Sequence, residues 1–573
     1  MITHKSPISG IATFNQKFIA TAGYDNIVIL WDADNGRSLG RGCHDHLVNQ
    51  CLFSPDGKYL ATSSSDYTTR IWSVPDMSLV SVLKGHKDDV EGLSFHHTRD
   101  IIATSSRDKT ICIFQIDGKL IKTLNGHKED VISVEWMYNS DIIISSSDDG
   151  TVKFWDANTG EIVKDLSFND VETDTIALTS EATIFAGNDD GEIIIIEDNV
   201  EPVVIQCHNA GIKRLVYSEQ EKRLISLSYD RTFKVWDYID KGLKLKSTQQ
   251  FNNVVWPRSA AFLNTTEIVF ASFGDRYAHF DLSKEVWLDN GIESTLGVNA
   301  VCELNGSTYT VGDSGYVKQN GEVRKELGSL CNFIVPFGNL LITGGQTGSI
   351  FNALTGETYY QHKSPLNCAA EFEVNGVKKI VVGSYTGEVI ILQSVNDEVF
   401  LDQVIRFHQN AIKGVSVSEN YIFTVCATGA AAFHDIENYK EIKYIKNGHD
   451  KIANGCTSLG KNTFASVSRD LKLRVWNVDD VSVYETPHTN SIKCIGADNT
   501  GRYLLLGSYV GFVSLFDNGE RRFTKHIRLS DFGISNIGFH SDSGKFLASS
   551  YNGKVYQVDI EPLINCKDNL FEL

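Results

Sequence analysis

Nine histidines return along this chain at nearly constant distance. His4, His44, His86, His127, His208, His362, His408, His449 and His488 each stand four residues before a short strand-like run. Neighbouring members lie 40, 42 and 41 residues apart in the first half and 46, 41 and 39 in the second. The 81 residues between His127 and His208 make two periods with one histidine missing. A fixed period of this length marks a repeat architecture, in which no unit buries its apolar faces alone and stacked neighbours do so together.

Each unit follows one plan: an alternating strand, a turn such as Ser54-Pro55-Asp56-Gly57, a second strand running into small residues and an aspartate, and a third strand ending in a large residue. Asp25, Asp66, Asp149, Asp230 and Asp470 each precede a tryptophan (Trp31, Trp72, Trp155, Trp236, Trp476) by six residues, and Asp108 precedes Phe114 by the same six. Four residues before each aspartate stands a hydroxyl: Thr21, Thr62, Thr104, Ser145, Ser226 and Ser466. Together with Gly85-His86, Gly126-His127, Trp31-Asp32, Trp155-Asp156 and Trp236-Asp237, this pattern resembles the WD-repeat family. The resemblance implies an all-β chain with one four-stranded blade per unit around a central channel.

First strands are expected near Ile8, Val48, Val90, Val131, Thr175, Ile212 and Val254, and again near Val298, Phe333, Leu366, Ile412, Ala453, Ile492 and Ile534. Propellers carry about four to eight blades. Fourteen units therefore predict two tandem seven-bladed propellers, over 1–290 and 291–573. In such a blade the recurring His, hydroxyl, Asp and Trp bond to one another as an internal fastener. The His/Asp/Ser sets that imitate a hydrolase triad are then architecture, since they recur blade after blade.

The formal charge of −19, from 72 acidic and 53 basic residues, opposes nucleic acid as main partner. No apolar run reaches transmembrane length, and the repeats begin at once, which predicts no membrane partner and a cytoplasmic location. Eleven scattered cysteines, with Cys51, Cys112, Cys302, Cys368, Cys456 and Cys494 inside strand patterns, predict free core thiols in a reducing compartment. The residues from Glu561 to Leu573 run past the final strand, to complete the last blade or pack beneath it.

Function falls to side chains that vary between units. The loop before each first strand and the turn between second and third strands open on one face. In the first propeller they carry His46, Asp88, Asp89, Glu129, Asp130, Asp148 and Asp189, with Arg107, Tyr24 and Tyr229 beside them. This acidic rim suits a solvated surface, a basic or polar protein partner, or a divalent transition metal held by His46, Asp88 and Glu129. His96 and His97 are expected in a solvated turn, and His279 and His434 in place of the large residue of a third strand. Asn188-Asp189-Asp190-Gly191-Glu192 reads as a tight turn, because Ala186 stands where a calcium loop needs its first ligand.

No phosphate-binding GlyXXXXGlyLys loop, GlyXSerXGly elbow or HisGluXXHis pair is present. The leading expectation is a non-enzymatic, cofactor-free protein-interaction scaffold, an architecture shared with eukaryotic tandem propellers that promote actin disassembly. The opening, Met1 to Thr13 followed by Ala20-Thr21-Ala22-Gly23-Tyr24-Asp25-Asn26, also resembles WD-repeat proteins of bacterial toxoflavin (azapteridine) biosynthesis clusters. That resemblance implies a biosynthetic component with a small-molecule substrate. Such a protein is either a pathway scaffold or a metal-dependent enzyme with its site at a channel mouth.

Overall fold

The computed structural model describes residues 2–169, 171–251, 258–272, 275–289, 291–292, 295–395 and 398–565. It contains fifty-five strands and one short helix. The strands form thirteen four-stranded sheets and one three-stranded sheet, each built from consecutive antiparallel strands. The chain divides into two compact units, Met1–Ser294 and Thr295–Leu573. Each is a seven-bladed propeller.

Blades 1 to 7 run Ile8–Cys43, Val48–Lys84, Val90–Asn125, Val131–Ser167, Thr173–Gln206, Ile212–Gln250 and Ala260–Trp287. Blades 8 to 14 run Val298–Glu326, Cys331–Gln361, Leu366–Arg406, Ile412–Ile445, Ala453–Glu485, Ile492–Arg528 and Ile534–Asp559. Blade 5 begins at Thr173 and blade 9 at Cys331, each two residues before the expected start. Val254 lies outside the described residues.

Within a blade, burial explains composition. The second strand is covered on both faces and carries small or β-branched residues, as in Ile143-Ile144-Ser145-Ser146-Ser147, all fully buried. The outer strand is solvated on one side and leaves Leu79, Ile121 and Val163 exposed. Apolar residues of adjacent blades interlock between the sheets. Ile143 and Trp155 of blade 4 meet Ala103 and Ile113 of blade 3.

Each ring closes by lateral packing of its last blade against its first. In the first, Trp31 of blade 1 packs edge-on against Tyr277 of blade 7, and the Ile8 amide donates to Ser272 O at 2.8 Å. A recurring stitch joins the inner strands. Asn49 donates its side-chain amide to Val90 O of the next blade (2.9 Å). Asn299 does so to Cys331 O (3.1 Å), Asn332 to Leu366 O (2.8 Å), Asn367 to Ile412 O (2.8 Å) and Asn454 to Ile492 O (2.7 Å). The Ser535 hydroxyl closes the second ring on Val298 O.

Six histidines form the expected fasteners. In blade 4, His127 Nδ1 meets Asp149 at 2.9 Å and Nε2 meets Ser145 at 2.7 Å, while the Trp155 indole donates to Ser145 at 2.8 Å. Blades 1, 2, 6 and 12 repeat this tetrad around His4, His44, His208 and His449. Blade 3 substitutes Phe114 and keeps the other three members around His86. Three histidines of the second unit keep their place and change partners. His408 retains only Thr424 (2.8 Å). His362 turns to Glu388 (3.2 Å). His488 meets Ser514 (3.0 Å), which also meets His526.

The tetrad aspartate has a second task. The residue after it adopts a left-handed backbone: Asn26, Tyr67, Lys109, Arg231 and Leu471 have φ between 64° and 70°. The aspartate bonds the amide that follows, as Asp108 does for Thr110 at 3.0 Å, and so fixes the turn. In blades 5, 8, 9, 10, 11, 13 and 14, which lack the His–Asp pair, this position is glycine. A Cβ on Gly348 would lie 2.2 Å from His362 O, and one on Gly387 2.1 Å from His408 O. Glycine is required there on both conformational and steric grounds.

Asn188 Oδ1 accepts the Glu192 amide at 2.9 Å, so residues 188–192 form a tight turn. His434 stands in the third strand of blade 11, its ring stacked 3.5 Å from Phe407. His96 and His97 depart from expectation. His96 is 8% exposed and caps the Thr98 and Arg99 amides, and His97 stacks 3.7 Å from Tyr138. The turn they occupy is covered by blade 4, which a single repeat considered alone does not reveal. The ten cysteines of the described residues are free thiols. Burial pushes Cys51, Cys302, Cys368 and Cys494 up to about 12. Past the last strand, Ile560–Asn565 is helical, and Leu563 packs into the core of blades 13 and 14. No helix among the described residues is long and apolar enough to cross a membrane.

Candidate functional site

The site is the mouth of the first ring. Two positions per blade point there: the second residue of the inner strand and the first residue of the turn between the second and third strands. The strand position carries Ser9, Asn49, Glu91, Ile132, Asp174 and Lys213 in blades 1 to 6. The turn carries Tyr24, Ser65, Arg107, Asp148, Asp189 and Tyr229. Pre-strand loops add Asp88, Asp89, Asp130 and Glu172.

Carboxylates dominate this opening. The Arg107 guanidinium pairs with Glu91 (2.5 Å) and Asp130 (3.3 Å), and the Lys213 ammonium pairs with Asp174 (3.3 Å). These two cations pair with three of the carboxylates, Glu91, Asp130 and Asp174. Burial, reinforced by Asp130, Asp174 and Glu172, holds Asp148 well above the usual carboxylate range. Asp189 is raised in the same way by burial and then by Asp174 and Glu172. Burial and Asp174 bring Glu172 up to about 7. Burial brings Asp130 to about 6, with Asp88, Glu91 and Glu129 adding to it and Arg107 opposing. Below the mouth, burial lifts Glu135 to about 7, although Ser94 donates to it at 2.9 Å.

The fold therefore brings together Asp88, Arg107, Asp148 and Asp189, with Tyr229 beside Lys213. Three rim residues lie apart from this group. Glu129 is half exposed and pairs with Lys109 (2.9 Å). Tyr24 takes the guanidinium of Arg258, 4.4 Å over its ring. His46 is 9% exposed, packed beneath the rim, and its backbone oxygen accepts from Ser64 at 3.3 Å. Among the described residues no group of three or more His, Cys, Asp or Glu is placed to hold a metal ion, His46, Asp88 and Glu129 included. Sequence reasoning missed Glu91, Asp174 and Lys213, which occupy the strand position where Asn or Ser elsewhere stitches the ring. It also missed Glu172, whose unit lacks the histidine.

The family model for the WD domain, G-beta repeat, matches residues 1–32, 37–73, 77–115, 118–156 and 201–237. These segments are WD40 repeats. Each later segment starts with the outer strand of one blade and ends with the third strand of the next, so they take in the first three strands of blades 1 to 4 and 6, which carry full tetrads or the Phe114 variant; blade 12, which also keeps a tetrad, lies outside them. The chain is similar to the target of rapamycin complex subunit wat1 of Schizosaccharomyces pombe, 27% identical over 40% of this chain and 76% of that protein. It is also similar to pre-mRNA-processing factor 19 of Bos taurus, 34% identical over 18% of this chain and spanning about a fifth (22%) of that relative. Among solved structures, the RRP9 WD40 repeats align over 47% of this chain and 87% of that one, at 19% identity and a TM-score of 0.43. Neither the family model nor these relatives supports the azapteridine resemblance.

Proposed function

We propose that this WD40 protein is a non-enzymatic interaction scaffold, and that the mouth of its first ring receives a lysine or arginine side chain of a protein partner. The observation that carries this is the imbalance at the mouth. Asp130, Asp148, Glu172, Asp174 and Asp189 act on one another there, and Arg107 and Lys213 oppose them among the described residues. An incoming cation relieves that repulsion where burial has weakened solvent screening. Guanidinium suits the place best, since its planar fork meets two carboxylates at once. That the relative wat1 is a subunit of a complex agrees with a scaffold.

The test is calorimetric titration of the full chain with an arginine-rich peptide and its citrulline analogue. The arginine peptide is expected to bind, the citrulline peptide to fail, and Asp148→Asn with Asp189→Asn to weaken binding at least tenfold. Equal binding of both peptides, or affinity unchanged in the double variant, contradicts the proposal.

A further inference from the structure

The second ring carries a mouth of opposite character, and it stands on the second unit alone. Four of its blades stitch to the next through an inner-strand asparagine, and blade 14 does so through Ser535. Blades 11 and 13 break this rule with Lys413 and Lys493. A ring gains nothing structural from that exchange. Neither ammonium donates to a neighbouring carbonyl, and neither forms an ion pair among the described residues. Each instead lies over a tyrosine of the turn position: Lys413 4.3 Å from the Tyr385 ring centre, Lys493 5.8 Å from that of Tyr509.

Arg469 occupies the turn position of blade 12, between the two lysines in ring order, and Tyr551 that of blade 14. The strand and turn positions of blades 10 to 14 thus bring three cations and three phenols to one opening, with no carboxylate among them. Their fields overlap. Burial raises the Tyr509 phenol, yet Lys493, Arg469 and Lys413 together bring it below its ordinary value. Asp313, at the turn position of blade 8, already accepts from Thr295 and from Asn299.

We propose that this mouth binds a phosphate monoester, seated between Lys413, Arg469 and Lys493. The charge matches: a monoester carries about −1.5 to −2 at neutral pH and offers three acceptor oxygens. Three cationic donors with tyrosine hydroxyls around them satisfy that count, which a single carboxylate does not use. The tyrosine faces hold the lysine ammoniums in place before the ligand arrives. The ester belongs either to a phosphorylated side chain of a partner protein or to a free phosphorylated metabolite.

The experiment is calorimetric titration of the full chain at low salt and neutral pH with inorganic phosphate, glucose 6-phosphate, and a phosphoserine peptide beside its unphosphorylated form. The phosphorylated probes are expected to bind and the plain peptide to fail. Tighter binding of the peptide assigns the ester to a protein partner; tighter binding of the sugar phosphate assigns it to a metabolite. Lys413→Asn with Lys493→Asn installs the residue the ring uses elsewhere, so the melting temperature is expected to hold while affinity falls at least tenfold. Lys413→Met with Lys493→Met, which keeps the apolar stems, is a second variant should the first fold poorly. No binding of any phosphorylated probe at millimolar concentration, or unchanged affinity in both variants, overturns the proposal.

Discussion

His127 Nδ1 lies 2.9 Å from Asp149 Oδ2, 22 residues further along the chain. The other ring nitrogen stands 2.7 Å from Ser145 Oγ, which already accepts the Trp155 indole N–H. An ionised carboxylate can only accept, so the contact with Asp149 needs a proton on Nδ1. The imidazole therefore carries its own proton on Nδ1 and donates it to Asp149. Asp149 also accepts the amides of Lys128 (2.9 Å) and Thr151 (3.1 Å). Asp149→Ala strands the imidazole and both amides, and is expected to cost about 2–4 kcal/mol in chemical denaturation. Trp155→Phe, which copies Phe114 of blade 3, is expected to cost less, about 1–2 kcal/mol.

The left-handed turn before each third strand gives a second prediction. Gly348→Ala puts a Cβ 2.2 Å from His362 O at a φ of +75°, and is expected to cost about 2–3 kcal/mol or more. At the corresponding position of blade 12, Leu471 holds a φ of 64°. Leu471→Gly removes that strain and is expected to leave stability unchanged or raise it by about 1 kcal/mol. Thermal melts of the two variants check both signs.

At the first mouth pH acts in a definite direction. A carboxylate whose folded pKa is raised gives its full stability below its unfolded pKa, near 4. That stability is lost as pH rises through the folded value, which for Glu172 is about 7. Glu172→Gln is therefore expected to match wild type near pH 4 and to melt higher by pH 8, by a few degrees. The fastener carboxylates act oppositely. Asp108, lowered to about 2 chiefly by its bond to His86 against the opposing cost of burial, contributes stability above pH 4 that disappears as acid approaches pH 2. Melting curves of Glu172→Gln and Asp108→Asn across this range separate the two effects.

The fold was legible because two local signals repeat: the His period and the six-residue Asp-to-Trp step. Both reflect contacts made inside one blade, so sequence distance maps directly onto geometry. Where the pair is lost, as at His362 and His488, the histidine kept its place while its partners moved to Glu388 and Ser514, and no spacing rule marks such a change. The mouths were harder because their residues come from different blades. His46 and Glu129 share a loop position with Asp88, yet one is buried and the other turns to Lys109. Lys213, Lys413 and Lys493 give a usable sign, since each replaces a residue that elsewhere stitches the ring. Reading that sign needs strand register to within one residue.

The central claim is that the recurring imidazoles are fasteners, which leaves the mouths free for binding. Long-range proton–nitrogen NMR of the full chain labelled at histidine tests it directly at His127, assigned through His127→Gln. The expected result is a ring protonated on Nδ1, protected from exchange with water, lost or shifted in Asp149→Ala, and undisturbed by added zinc. Rapid exchange, protonation on Nε2 alone, or a zinc-dependent shift at His127 would contradict it.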